Sequence, residues 1–262
     1  MLKSIFSMTR KELLADLLYR CNAIKPIDVD RIQMMADASV KAGEPRLGVA
    51  DLEQRWYASL PDPDYGVYDA DEYIAELWVC WIIYSRKYLL EIQRGTSLPP
   101  CGVARSRDPV RCVVDLGCGF GHTTAALKEI YPDAAVIGTN LKGTLQYEVA
   151  RGIGKLRGFT VISDISEVGH SVDLVFASEY FEHIYEPVAH LFGVVRAIQP
   201  HAMLIANAFG KVSTGHFEAY KIGQVELSGK ATSRIFNGVL KQIGYRKIKT
   251  KLWNNRPALW VR

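Results

Sequence analysis

The chain has 262 residues, 48% hydrophobic and 23% charged, an ordinary globular composition that excludes a disordered or low-complexity chain. This length holds one full α/β domain with an appendage. The formal net charge of +4 is mild, and Lys and Arg are spread along the chain, so nucleic acid is an open but unfavoured partner.

The five cysteines (Cys21, Cys80, Cys101, Cys112, Cys118) form no C-x-x-C pair and are odd in number, which argues for a reducing compartment. The six histidines show no zinc-ligand spacing, so no metal is expected. Residues 1–10 lack the apolar run and cleavage site of a signal peptide. No apolar stretch approaches the roughly 20 residues that span a bilayer. A cytoplasmic chain without a membrane partner is expected, with a homo-oligomer left open.

The first hundred residues read as helices. Thr9 and Glu12 form a capping box ahead of the stripe Leu13, Leu14, Leu17, Leu18. A second helix spans about Asp28–Ala42, stopped by Gly43 and Pro45, and a third about Val49–Leu60, broken by Pro61-Asp62-Pro63-Asp64. Asp69 with Glu72 predicts a cap that opens a long helix through about Ile92, with a broad face of Trp, Tyr, Ile and Leu. Residues 95–108 read as a linker, dividing a helical cap at 1–108 from a domain at 109–262.

From Val110 short aliphatic runs alternate with helical segments. The strands are 111–115, 135–139, 159–163, 173–177 and 202–206; helices fall at 123–130, 145–152 and 188–198. This pattern predicts a mostly parallel α/β sheet with helices on both faces. A helix at 231–243 and strands at 245–252 and 258–262 close it at seven strands. The basic residues Arg246, Lys247, Lys249 and Lys251 alternate with Ile248 and Leu252, as on the wet face of a strand.

The informative segment is Val113-Val114-Asp115-Leu116-Gly117-Cys118-Gly119-Phe120-Gly121-His122. Glycines after a buried strand let the backbone pass close to a ligand, and the helix beyond offers unpaired N–H groups. A dinucleotide loop, G-x-G-x-x-G, would need glycine at 122, where this chain has His122. Asp115, two residues ahead of the first glycine, suits a cationic ammonium and would repel a pyrophosphate.

From about residue 110 to 262 the chain resembles the class I S-adenosylmethionine-dependent methyltransferases, with their Rossmann-like fold. The resemblance rests on the Asp115–Gly121 motif. Further stretches agree in order: Val136–Leu141, Ser163-Asp164-Ile165, Asp173–Glu179, Phe181-Glu182-His183-Ile184, Arg196–Pro200 and Gly244-Tyr245. It implies S-adenosylmethionine as cofactor, held by Asp115, Gly117, Cys118, Gly119, Asn140, Leu141, Asp164, Ile165 and Ser178. The family usually has a carboxylate on the ribose where this chain has Asn140. After Pro200 it has a glycine pair where this chain has His201 and Ala202.

Glu179, His183 and His216 are then candidate bases beside the methyl group. Tyr65, Tyr68 and Tyr220 are candidate acceptor contacts, and the aromatic N-terminal helices a lid. The acceptor implied is an O or N atom of a small or medium-sized metabolite. Nucleic-acid or protein methylation, or a silent cofactor-binding subunit, are the alternatives. Base-amino methylation calls for a [DNS]PP[YFW] element where this chain has Ser178-Glu179-Tyr180-Phe181. Pro100-Cys101 resembles a cytosine-methylating nucleophile but precedes the glycine loop.

Overall fold

The computed structural model describes residues 3–44, 50–60, 62–95, 109–248, 250, 252 and 257–262. Most of the expected linker (96–108, with Pro100 and Cys101) lies outside them, as do Pro45, Val49, Pro61, Lys249 and Lys251.

Helix α1 (Arg10–Ile24) opens on the expected reciprocal cap of Thr9 and Glu12, and α2 (Val29–Ala42) runs from an Asp28 cap to a left-handed Gly43. Helix α3 (Ala50–Ser59) is followed by a 3₁₀ turn at Tyr65–Asp69. Next come α4 (Asp71–Cys80), a π-type turn over Trp81–Ser85 and α5 (Arg86–Gln93), one continuous helical run. The expected Asp69–Glu72 cap does not form. Ala70 holds the cap position without a side-chain bond, and Asp69 instead accepts from the Leu145 N–H at 3.1 Å. A local signal has thus been spent on a tertiary contact.

The second part alternates β1 (Cys112–Leu116), α6 (His122–Ile130), β2 (Ala135–Thr139), α7 (Leu145–Arg157), β3 (Thr160–Ile162), β4 (Leu174–Ser178), α8 (Pro187–Ile198) and β5 (Ala202–Ala206). A hairpin of β6 (Ala219–Ile222) and β7 (Val225–Ser228) follows, then α9 (Gly229–Gln242), β8 (Arg246–Ile248) and β9 (Ala258–Val261). The sequence reading missed the hairpin, whose signal is Gly223-Gln224, a two-residue turn with Gly223 at φ +63°. Among the described residues of the expected strand at 245–252, those of β8 are in strand conformation.

The seven strands lie in the order β3-β2-β1-β4-β5-β9-β8, parallel through β5 and antiparallel on either side of β9. Chain order reverses between β1 and β4, so the loops after these strands open a crevice at the carboxyl edge. Successive β1 residues point to opposite faces: Val113 joins the layer of α1, α2, α4, α6 and α7, and Val114 the layer of α3, α8 and α9. Leu17, Trp78 and Leu89 of the N-terminal helices share a hydrophobic cluster with Ala125, Leu127 and Val149. Those helices are therefore held against the sheet domain by a common core. Among the described residues no helix is long and apolar enough to cross a membrane.

Candidate active site

One cavity of about 890 Å³ opens at the switch point. Its walls are the loops after β1, β2, β3 and β4, the aromatic face of the N-terminal helices, and residues 211–216 beyond β5. This size falls in the upper part of the roughly 300–1,000 Å³ of small-molecule sites.

At one end stands the glycine turn. Gly117 and Gly119 adopt φ +66° and +53°, in the left-handed region. Their reasons differ. A Cβ on Gly117 would lie 2.4 Å from the Tyr180 ring, whereas one on Gly119 would meet only Leu77 methyls at 4.0 Å and would project into the cavity. The first glycine serves packing. The second keeps open a cradle that a side chain would fill, which is the fit a closely held nucleoside ligand needs.

Asp115 is buried beneath the turn and accepts from the Thr123 and Thr124 hydroxyls, both at 2.6 Å. Burial raises its carboxyl to about 7 against the two hydroxyl bonds. Asn140, at the end of β2, donates to the Gly119 carbonyl at 2.8 Å and accepts from the Leu141 N–H. Asp164 caps the 3₁₀ turn Ile165–Val168 by accepting from Ser166 N–H, and that bond lowers its pKa. Ser178 closes the floor, its hydroxyl bonded to Tyr88, which also meets Ser85 of the π-type turn. Cys118, Leu141 and Ile165 also line the cavity.

Glu179, His183 and His216 line the same cavity. Glu179 follows β4 at φ +52°, a left-handed conformation rare for a residue with a Cβ, and its N–H is held by the Ala206 carbonyl. The His183 and His216 rings stand 4.7 Å apart, edge to face. Burial, then the neighbouring His216, holds His183 well below the usual imidazole range, so it is neutral near pH 7. His216 donates from Nδ1 to the Lys211 carbonyl at 2.8 Å. Its own carbonyl accepts from the Trp56 indole N–H at 2.6 Å, so α3 fixes the loop that carries it. The Tyr68 hydroxyl lies 3.4 Å from His183 Nδ1, and Tyr65 stands half-exposed at the rim.

Of the fifteen residues expected at a site, fourteen line this one cavity. Tyr220 does not. Its ring is fully buried between Phe209 and Phe217, and its hydroxyl donates to the Glu182 carbonyl, a structural role set by the unforeseen β6–β7 hairpin.

Three residues were missed. Glu76 sits on the inward face of α4, bonded by Ser213, and burial raises it to about 7. Trp81 stacks on His122 at 5.8 Å, whose pKa burial lowers to about 4. Trp78, by contrast, is core only. Glu182 is completely buried, with one oxygen accepting from the Ala208 N–H at 2.6 Å. Burial, then Glu179, pushes its carboxyl well above the usual range. The legible signal was a carboxylate within an apolar helical face for Glu76 and the Glu179-x-x-Glu182 spacing for its partner.

Residues 114–206 match the model of the methyltransferase domain family. A malonyl-[acyl-carrier protein] O-methyltransferase of Methylococcus capsulatus is 25% identical over 207 residues, 73% of each chain. A trans-aconitate 2-methyltransferase of Azoarcus sp. is 27% identical over 97 residues, 37% of this chain and 38% of its own. The N,N-8-amino-8-demethyl-D-riboflavin dimethyltransferase of Streptomyces davawensis superposes with a TM-score of 0.50 at 16% identity. The match covers 90% of this chain and 69% of that one, and it is a likeness of fold. Residues 114–206 thus match a methyltransferase domain, carried on a sheet with Rossmann-like strand order and an acidic glycine loop.

Proposed function

We propose that the chain transfers the methyl group of S-adenosylmethionine to an O or N atom of a small or medium-sized metabolite, in the cytoplasm, with residues 1–108 acting as the cap over the domain at 109–262. The observation that carries this reading is the single cavity joining the open cradle at Gly119 to the buried imidazoles of His183 and His216. Asp115, the glycine turn, Asn140, Asp164, Ile165 and Ser178 would hold the cofactor. When bound, S-adenosylmethionine supplies an electrophilic methyl group on a sulfonium that leaves as a neutral thioether.

The chain's own work is then positioning, exclusion of water and proton removal. Tyr65 and Tyr68 hold the acceptor against the methyl end, and the packed helices α4 and α5 keep water out. His183, neutral near pH 7, takes the acceptor's proton, or Glu179 or His216 does. Buried free thiols at Cys21, Cys112 and Cys118 suit a reducing compartment. The relatives named above as O-methyltransferase and N,N-dimethyltransferase support an O or N acceptor.

Calorimetric titration with S-adenosylmethionine, S-adenosylhomocysteine and NADH tests the cofactor. Saturable binding of the first two and none of the third is expected; binding of NADH alone would overturn the reading. Screening of hydroxylated and amino metabolites for methyl incorporation then addresses the acceptor.

A further inference from the structure

A carboxylate oxygen of Glu179, one of Glu182 and a ring nitrogen of His216 all lie within 4.8 Å of one another, and Glu179 and His216 line the cavity. These residues come from the end of β4, the 3₁₀ turn at Phe181–His183 and the loop after β5. Glu179 and Glu182 are three residues apart in the chain, and the fold brings His216 to them.

Two independent observations point to a ligand here. Glu182 is fully buried; one of its oxygens accepts from the Ala208 N–H, and its other oxygen, Oε2, meets no N–H or hydroxyl donor, its acidic neighbour being Glu179. An acceptor left bare in the interior is costly, and a cation beside it removes that cost. His216 is fixed in one tautomer. Its Nδ1 faces the Lys211 carbonyl, which can only accept, so Nδ1 carries the proton and Nε2 keeps the lone pair. The Trp56 indole bonded to the His216 carbonyl fixes the backbone behind it.

We propose that Glu179, Glu182 and His216 form a divalent-cation site at the acceptor end of the cavity. Two carboxylate oxygens with one imidazole nitrogen suit a first-row divalent ion such as Mn²⁺ or Zn²⁺ more than Mg²⁺, which prefers oxygen alone. Three protein ligands leave coordination positions open. Glu179 and His216 border the cavity, so those positions fall where an acceptor oxygen would bind. The acceptor this favours carries a hydroxyl or carboxylate oxygen that the ion can hold and polarise. The role in catalysis rests on the function proposed above; the site itself does not.

The test is titration of chelator-treated full-length protein with Mn²⁺, following loss of the free-ion paramagnetic resonance signal, with Zn²⁺ as competitor. One saturable Mn²⁺ per chain, displaced by Zn²⁺, is expected. Glu182→Gln and His216→Gln should each weaken it by at least the roughly 10–100-fold that loss of an outer-shell partner costs. S-adenosylhomocysteine binding is measured on the same samples and should persist in both variants, which shows that they are folded. Absence of stoichiometric binding in the wild type, or Mn²⁺ affinity unmoved by either substitution, overturns the site. With S-adenosylhomocysteine still bound, that result would leave the methyltransferase reading standing.

Discussion

The Asn140 side-chain amide donates to the Gly119 carbonyl at 2.8 Å, tying the end of β2 to the turn after β1. Its oxygen is engaged with the Leu141 N–H. A carboxylate at this position could bond a ribose diol more strongly but could not donate to Gly119. If the brace is the dominant role, Asn140→Asp should weaken S-adenosylhomocysteine binding as Asn140→Ala does, each by about fivefold for one lost hydrogen bond of ~1 kcal/mol. Tighter binding by the Asp variant in calorimetry would mean that the ribose contact outweighs the brace.

The two glycines of the turn should fail differently. Gly119→Ala places a Cβ in the cavity and at φ +53°, a strain of ~1–2 kcal/mol. Cofactor binding should be lost with the fold kept. Gly117→Ala adds the same strain to a clash with Tyr180, so its urea midpoint should fall much further. Equal losses of stability, with cofactor binding kept in Gly119→Ala, would contradict this division.

The cofactor end was legible because its chemistry is local. The strand, the acidic residue and the glycines lie within ten consecutive positions, and backbone conformation alone demands glycine there. The acceptor end was legible only in part. His183 and Glu179 stand beside a recognisable strand, but Glu182 and Glu76, whose positions the pattern does show, acquire significance only from their burial. Tyr220 shows the converse: an aromatic near a plausible site is drawn into the core by a hairpin whose two-residue turn went unread. Asp69 likewise had a sound local pattern that a tertiary partner, Leu145, overrode.

Asp115 should make cofactor binding and stability depend on pH. Burial lifts its carboxyl from an ordinary 3.8 to about 7, so between these values the folded protein binds a proton that the unfolded chain does not. Stability from this group is complete below about pH 4 and is lost as pH rises through 7. A cationic cofactor favours the carboxylate, so its binding should release protons and tighten from pH 6 to 8. Calorimetry in two buffers of different ionisation heat measures the release. Asp115→Asn should abolish both dependences, and an unchanged pH profile in that variant would assign them elsewhere.

His183→Ala should slow turnover by ~10²–10⁴ if the ring removes the acceptor proton, with S-adenosylhomocysteine affinity unchanged because the ring takes no part in bracing Gly119, Asn140 or Asp164. Tyr68→Phe removes the hydroxyl 3.4 Å from His183 Nδ1 and should raise KM more than it lowers kcat. Turnover by His183→Ala equal to that of the wild type, with the acceptor found by screening, would remove His183 as base.

Trp56→Phe separates scaffolding from chemistry. The indole N–H holds the His216 carbonyl at 2.6 Å, while its ring stacks on Tyr68 and meets Phe217 edge to face. Phenylalanine keeps much of the ring contact but leaves a buried carbonyl without its donor, a cost of ~1–3 kcal/mol that a urea titration should read. The loop at 211–216 then loses its anchor to α3, so turnover should fall although Trp56 touches no reacting atom. S-adenosylhomocysteine affinity should hold, because Gly119, Asn140 and Asp164 are braced independently. A loss of cofactor affinity as large as the loss of turnover would show instead that the two ends of the cavity move together.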